Sequence, residues 1–141
     1  MTDDPITTFL RARGVAEHLV AGGVDGLVAE WERIAATIAH GYELTLDDYL
    51  NDMDVREILG DVLASMPEPD GPLIDRLRDA DELVRRATVV GTPCLWGEQN
   101  RVRHGWTARE NWWYFAVPTA PGEDLAADLT DNGFGRGPAS G

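Results

Sequence analysis

Between Asp25 and His40 the apolar residues recur in steps of three and four: Leu27, Val28, Trp31, Ile34, Ala35 and Ile38. That spacing gathers them on one face of a helix, and such a face is stable only when other elements cover it. Asp25 is a candidate N-cap, and His40-Gly41 supplies a helix ending. The search for partners of this helix sets the rest of the fold.

Before it, Thr7 or Thr8 is placed to cap a first helix carrying Phe9, Leu10, Val15, Leu19 and Val20, closed by Gly22-Gly23. After it, Thr45 and Asp48 form a capping box ahead of a stripe of Leu46, Tyr49, Leu50 and Met53. Continuing that stripe requires apolar residues at 56 and 57, where Arg56 and Glu57 stand. A second stripe begins at Val55 and runs through Ile58, Leu59, Val62, Leu63 and Met66. The phase change predicts a break near Asp54, with two helices packed at an angle. Residues 67–71 read as a turn, and Pro72 suits the first position of another helix, which buries Leu73, Leu77, Ala80, Val84 and Ala87.

The character then changes. Thr88 to Leu95 and Asn111 to Val117 are rich in β-branched and aromatic residues and read as an antiparallel pair, with Pro93 confined to an edge or bulge. Thr107 and Glu110 suit a helical turn between them. Residues 123–129 suit a short helix, and the Gly-rich stretch 132–141 reads as a loose tail. The expected architecture is one mainly helical (α+β) domain over residues 1–131. It has four or five helices and a small antiparallel β element at about residues 88–117. A chain of 141 residues with 43% hydrophobic and 26% charged residues can build such a core without staples.

Composition also removes several chemistries. All twelve basic residues are Arg, so there is no lysine for a Schiff base or a phosphate loop. The two serines, Ser65 and Ser140, occupy a helical pattern and the penultimate position, which argues against a serine hydrolase. Cys94 stands alone, so neither an internal disulfide nor a thiolate metal cluster is available. The start Met1-Thr2-Asp3-Asp4-Pro5 lacks the positive region of a secretory signal. The longest apolar run, Trp112 to Val117, is far shorter than a membrane helix needs, so a cytoplasmic location is expected. A net charge of −13 disfavours duplex nucleic acid and anionic membranes as partners and favours a basic protein surface.

Two segments carry candidate function. From Glu43 to Asp61 there are seven acids against one base, Arg56. A calcium hand does not fit, because helical periodicity persists and Met53 stands where the loop glycine belongs. The leading reading is a non-enzymatic acidic protein that binds a basic partner, similar to immunity proteins and antitoxins in size and charge alone. Asp47, Asp48, Asp52 and Asp61 supply the charge and Tyr49 an amphipathic anchor.

The second segment places Trp96, Trp106, Trp112, Trp113, Tyr114 and Phe115 beside Arg101, Arg103, His104 and Arg109. The alternative reading is a small-molecule-binding protein or enzyme with a Trp/Arg-lined pocket. Trp96, Trp106 and Trp112 form its walls, and Arg101, Arg103, His104 or Arg109 meets a small anionic ligand. Two further pairings are weaker. His40 and Glu43, with His18, lack a third convergent ligand fixed by sequence, and Cys94 with His104 needs proximity and a lowered thiol pKa. No cofactor or metal is expected, and no catalytic residue is assigned.

Overall fold

The computed structural model describes residues 5–66, 68, 71–90 and 93–134. It is mainly helical, with a two-stranded antiparallel sheet. The helices are α1 (Pro5–Ala12), α2 (Glu17–His40), α3 (Leu46–Ser65), α4 (Gly71–Arg86), α5 (Glu98–His104) and α6 (Glu123–Asp131). Strands β1 (Thr88–Val90) and β2 (Ala116–Pro118) pair with Val89 opposite Val117. A 3-10 turn, Trp112–Phe115, leads directly into β2. No helix among the described residues is long and apolar enough to cross a membrane.

The α2 stripe becomes the centre of the core. Leu27, Val28, Trp31, Ile34, Ala35 and Ile38 are all buried, and α2 packs against α4 and α3. Arg76 on α4 reaches back to Asp25 and Glu32 on α2, at 2.7 Å to each. The chain enters α3 through the Thr45–Asp48 capping box, in which each side chain accepts from the other residue's backbone N–H.

Three expectations are corrected. The first helix does not run to Gly22. The chain turns at Gly14, and α2 starts at Glu17 and continues through Gly23, which adopts φ 63° and ψ −155°. That conformation is open to glycine and strained for any other residue. The glycine pair therefore makes a kink inside α2 and not a boundary.

Second, α3 is one helix with no break at Asp54. The phase change marks no break because Arg56 fills a position of the stripe. Its side chain is only 13% exposed and its guanidinium forks onto Asp81 of α4, with Nε donating to Oδ1 at 2.8 Å and Nη2 to Oδ2 at 2.9 Å. The Asp81 side chain is 17% exposed and its Oδ1 also accepts from Trp31 Nε1 at 2.8 Å. The Arg56 Cζ atom lies 4.5 Å from the Trp113 ring centroid. With its polar groups paired and its plane covered by a ring, Arg56 occupies a core position and the helix runs through.

Third, the strands are shorter than expected. Trp112, Trp113, Tyr114 and Phe115 are all buried, which an alternating strand with one solvated face does not allow. The 3-10 turn instead sends side chains in several directions, each into an apolar or ring-lined setting. Pro93 lies outside β1, and α5 fills part of the connection. The helical turn between Thr107 and Glu110 forms, with Glu110 N donating to Thr107 Oγ1 at 3.1 Å. Helix α6 runs two residues beyond the expected Leu129, and Phe134 still packs on the core. The rest of the expected tail, 135–141, lies outside the described residues.

Asp81→Ala leaves the Arg56 charge and the Trp31 N–H without their acceptor, so urea unfolding should show a loss of about 3–5 kcal/mol. Arg78→Ala removes an ion pair to Asp75 in which both side chains are 72% exposed, and should change stability by less than about 0.5 kcal/mol. The adjacent glycines should respond with opposite signs. Gly22→Ala, at a helical position with open space, should gain about 0.4–1 kcal/mol, and Gly23→Ala should lose about 1–3 kcal/mol. Equal responses would contradict the kink.

Candidate functional site

The acids of the 43–61 segment leave the helix in several directions, and most meet partners within the chain. Asp47 is exposed in the first turn of α3. Asp48 is held in the capping box. Asp52 accepts from the Tyr42 hydroxyl at 2.6 Å, and burial pushes its carboxyl above the usual range. Asp61 pairs with Arg13, which follows α1, at 2.5 Å. Tyr49 does not serve as a surface anchor in this structure. It is fully buried, its hydroxyl donates to the Ala116 carbonyl at 2.7 Å, and its ring meets Tyr42 edge to face. The four acids and Tyr49 therefore do not form one docking face.

Another face of α3 does gather a site. Asp54, Glu57, Ile58 and Asp61 recur at helical spacing and line a cleft of about 600 Å³ with Arg13, Trp96, Asn100, His104, Trp106 and Tyr114. Helix α5 and the turns flanking it supply the opposite wall. The Trp96 indole rests on Asp54, its Nε1 donating to Oδ1 at 3.3 Å. The Asn100 side-chain amide donates to the Trp96 carbonyl at 2.8 Å and ties α5 to that turn. The His104 ring stacks on Trp106 at 4.5 Å, and Trp106 lies 4.2 Å from the Tyr114 ring.

The hydrogen bonds explain why carboxylates stand beside these rings. Buried indole and phenol groups carry donors that need acceptors. Asp54 Oδ1 accepts from Tyr114 Oη at 2.6 Å as well as from Trp96. Glu57 Oε1 accepts from Asn111 Nδ2 at 2.9 Å and Trp113 Nε1 at 3.2 Å. Each carboxylate thus uses one oxygen for the fold. Among the described residues no hydrogen bond reaches Asp54 Oδ2 or Glu57 Oε2. Burial raises the Asp54 carboxyl above its ordinary range, while the Tyr114 and Trp96 hydrogen bonds and the charges of Arg13 and His104 pull the other way. The same burial, reinforced by the Asp54 charge, pushes the Tyr114 phenol far up. The cleft lining holds three carboxylates against one guanidinium, Arg13.

The proposed Trp/Arg pocket is reassembled with different members. Trp96, His104 and Trp106 converge. Arg101, Arg103 and Arg109 lie outside the lining, with Arg101 paired to Glu98 at 2.6 Å. Trp112 is buried elsewhere, under the Arg85 guanidinium at 4.2 Å. The lining is therefore acidic and aromatic, and the basic residues that argued for an anionic ligand are not in it. Asp54 and Glu57 enter the sequence reading at the expected helix break and in the acidic segment, and Arg13 is not among its candidates. The available signal was the 54, 57, 58, 61 spacing, which marks one face of α3.

Cys94 is buried, and desolvation raises its thiol above the ordinary value, the opposite of what a thiolate nucleophile needs. His18 and His40 are exposed, and among the described residues no group of three or more His, Cys, Asp or Glu side chains could hold a metal ion. A second hollow, of about 540 Å³, lies between Gly41, Glu43 and residues 120–124 and has no aromatic wall. Gly122 is required there, since a Cβ would stand 2.8 Å from Glu43 Cα.

Compared with known proteins, the chain matches no family model, no curated protein and no solved structure.

The raised Asp54 carboxyl gives a pH prediction. A group whose folded pKa exceeds its unfolded one favours the folded state at low pH, and that contribution is lost as pH rises through the folded value. Asp54→Asn keeps an oxygen for the Tyr114 and Trp96 donors but carries no charge. Its stability relative to the parent chain should therefore improve between about pH 3 and pH 7. Urea unfolding at both pH values tests this, and a constant difference would contradict it.

Proposed function

We propose that this protein is a non-enzymatic acidic interaction protein that engages a basic surface of a partner protein. The observation that carries the reading is the cleft on α3, where Asp54, Glu57 and Asp61 face an aromatic wall and, among the described residues, Arg13 is the one guanidinium in the lining. The chain's net charge of −13 acts at longer range and favours the approach of a positive surface. The centre of contact is the Asp54–Glu57–Asp61 face, and Asp47 contributes charge from the same helix. Asp52 and Tyr49 serve the core. The proposal sets this protein in the cytoplasm, where a soluble basic partner is met directly.

The second reading, a small-molecule site, is favoured by one observation. A cleft of about 600 Å³ lined by four rings, those of Trp96, His104, Trp106 and Tyr114, has the size and lining of a ligand pocket. Its carboxylates fit a cationic ligand better than an anionic one.

The experiment is capture of partners from source cells by the tagged full chain, washed at low and high salt. One basic protein should be retained at low salt and shed at high salt. Asp47→Asn and Asp61→Asn should each slow association, by about twofold to tenfold, with the larger effect at low salt. The absence of any basic partner at low salt would reject the reading, as would a partner held equally well at high salt.

A further inference from the structure

We infer that the cleft between α3 and α5 is a receptor for a single arginine side chain presented by the basic partner, whose guanidinium lies over Trp96 and bonds Asp54 Oδ2 and Glu57 Oε2. This inference rests on the reading of a basic protein partner and specifies the residue that such a partner inserts.

The argument starts from how this chain treats its own arginines. Arg56 shows the full arrangement, with a guanidinium 4.5 Å from the Trp113 ring centroid and forked onto both oxygens of Asp81. Arg85 repeats the stacking half on Trp112 at 4.2 Å. The cleft offers the same parts without the cation. Trp106 has ring neighbours in His104 and Tyr114, but no ring or cation stands over Trp96 among the described residues. The indole of Trp96 is fixed by its hydrogen bond to Asp54. Asp54 and Glu57 lie one turn apart on the same face of α3, each with an oxygen that accepts no hydrogen bond among the described residues.

The one guanidinium present, Arg13, is engaged at the rim. It pairs with Asp61 and stands 5.6 Å from the Phe9 ring; its charge also reaches Asp54, but among the described residues its hydrogen bond goes to Asp61 and not to Asp54 or Glu57. Arginine fits better than lysine for two reasons. Its planar group stacks on an indole, and its several N–H donors can meet two separate carboxylate oxygens at once, whereas an ammonium is a compact point charge that is more strongly hydrated. The cleft is also large enough to admit the three methylene groups of the stem along Ile58.

The test uses the full chain and two capped tripeptides, acetyl-Gly-Arg-Gly-amide and its lysine counterpart. Binding is followed at the Trp96 indole N–H resonance, assigned by its loss in Trp96→Phe. The arginine peptide should shift this resonance saturably, with a Kd of about millimolar, and the lysine peptide should bind at least about fivefold more weakly. Asp54→Asn retains the fold contacts and should weaken the arginine peptide about tenfold or more, while Asp79→Asn, at an exposed position of α4 outside the cleft lining, should leave it unchanged. No saturable shift, equal binding of both peptides, or unchanged affinity in Asp54→Asn would each overturn the assignment. A basic partner captured from cells whose retention is unaffected by Asp54→Asn would also overturn it, yet would leave the broader reading standing. Saturable arginine binding with no basic protein captured would support the receptor and reject that broader reading.

Discussion

The pairing of Arg56 with Asp81 is the constraint on which the rest of the arrangement depends. Two charged groups that are each more than four-fifths buried must compensate their lost hydration within the protein. The compensation draws in four parts of the chain. Asp81 comes from α4, Arg56 from α3, and Trp31, which donates to the same Asp81 oxygen, from the centre of α2. Trp113, which covers the guanidinium, comes from the turn before β2. Once these four meet, the angles among the three long helices are restricted and the aromatic segment is drawn onto α3. An isosteric apolar group at position 56 could fill the space but would not select which face of α4 or which Trp it met.

The cleft is a consequence of that placement. Trp113 and Tyr114 are carried into α3 as neighbours in a 3-10 turn, and their polar tips then need acceptors. Glu57 and Asp54 supply them, one turn apart. A carboxylate brought in to satisfy a single buried donor arrives with a second oxygen that the fold does not require. The same logic places the Asp52 carboxylate against Tyr42, away from the cleft. Charge that looks like one acidic block in the sequence is thereby divided between core support and a recessed face.

What was legible in the sequence were features fixed by local chemistry. The α2 stripe, the Thr45–Asp48 capping box, the apolar positions of α4, the small antiparallel pair and the start of α6 all follow from spacing, capping and turn residues. What was not legible depended on contacts between distant residues. Arg56 and Glu57 read as a phase break because their partners, Asp81 and Trp113, lie 25 and 56 residues away. Gly22-Gly23 read as a terminus because glycine's tolerance of positive φ serves a kink as readily as an end. Residues 112–115 read as a strand because aromatic content is common to sheets and to buried 3-10 turns. The candidate site was half legible for the same reason. The Trp and His members were visible as a cluster, whereas the carboxylates that face them were visible only as part of the acidic segment from Glu43 to Asp61.

Under the proposed function, this division of charge separates two phases of an encounter. Exposed acids such as Asp47 act through solvent and lose their reach within about 8 Å at physiological ionic strength, so they govern the rate of approach. Asp54 and Glu57, recessed beside indole rings, act only on a group that has entered the cleft, where screening is weaker and a stacked, hydrogen-bonded contact must be broken before the partner leaves. A lysine-free chain makes this separation easier to maintain. Its own cations are all arginines, and those beside the cleft and the core are already committed to Asp61, Asp81 and the Phe9, Trp112 and Trp113 rings. The inner carboxylate oxygens of the cleft thus keep their capacity for a cation supplied from outside.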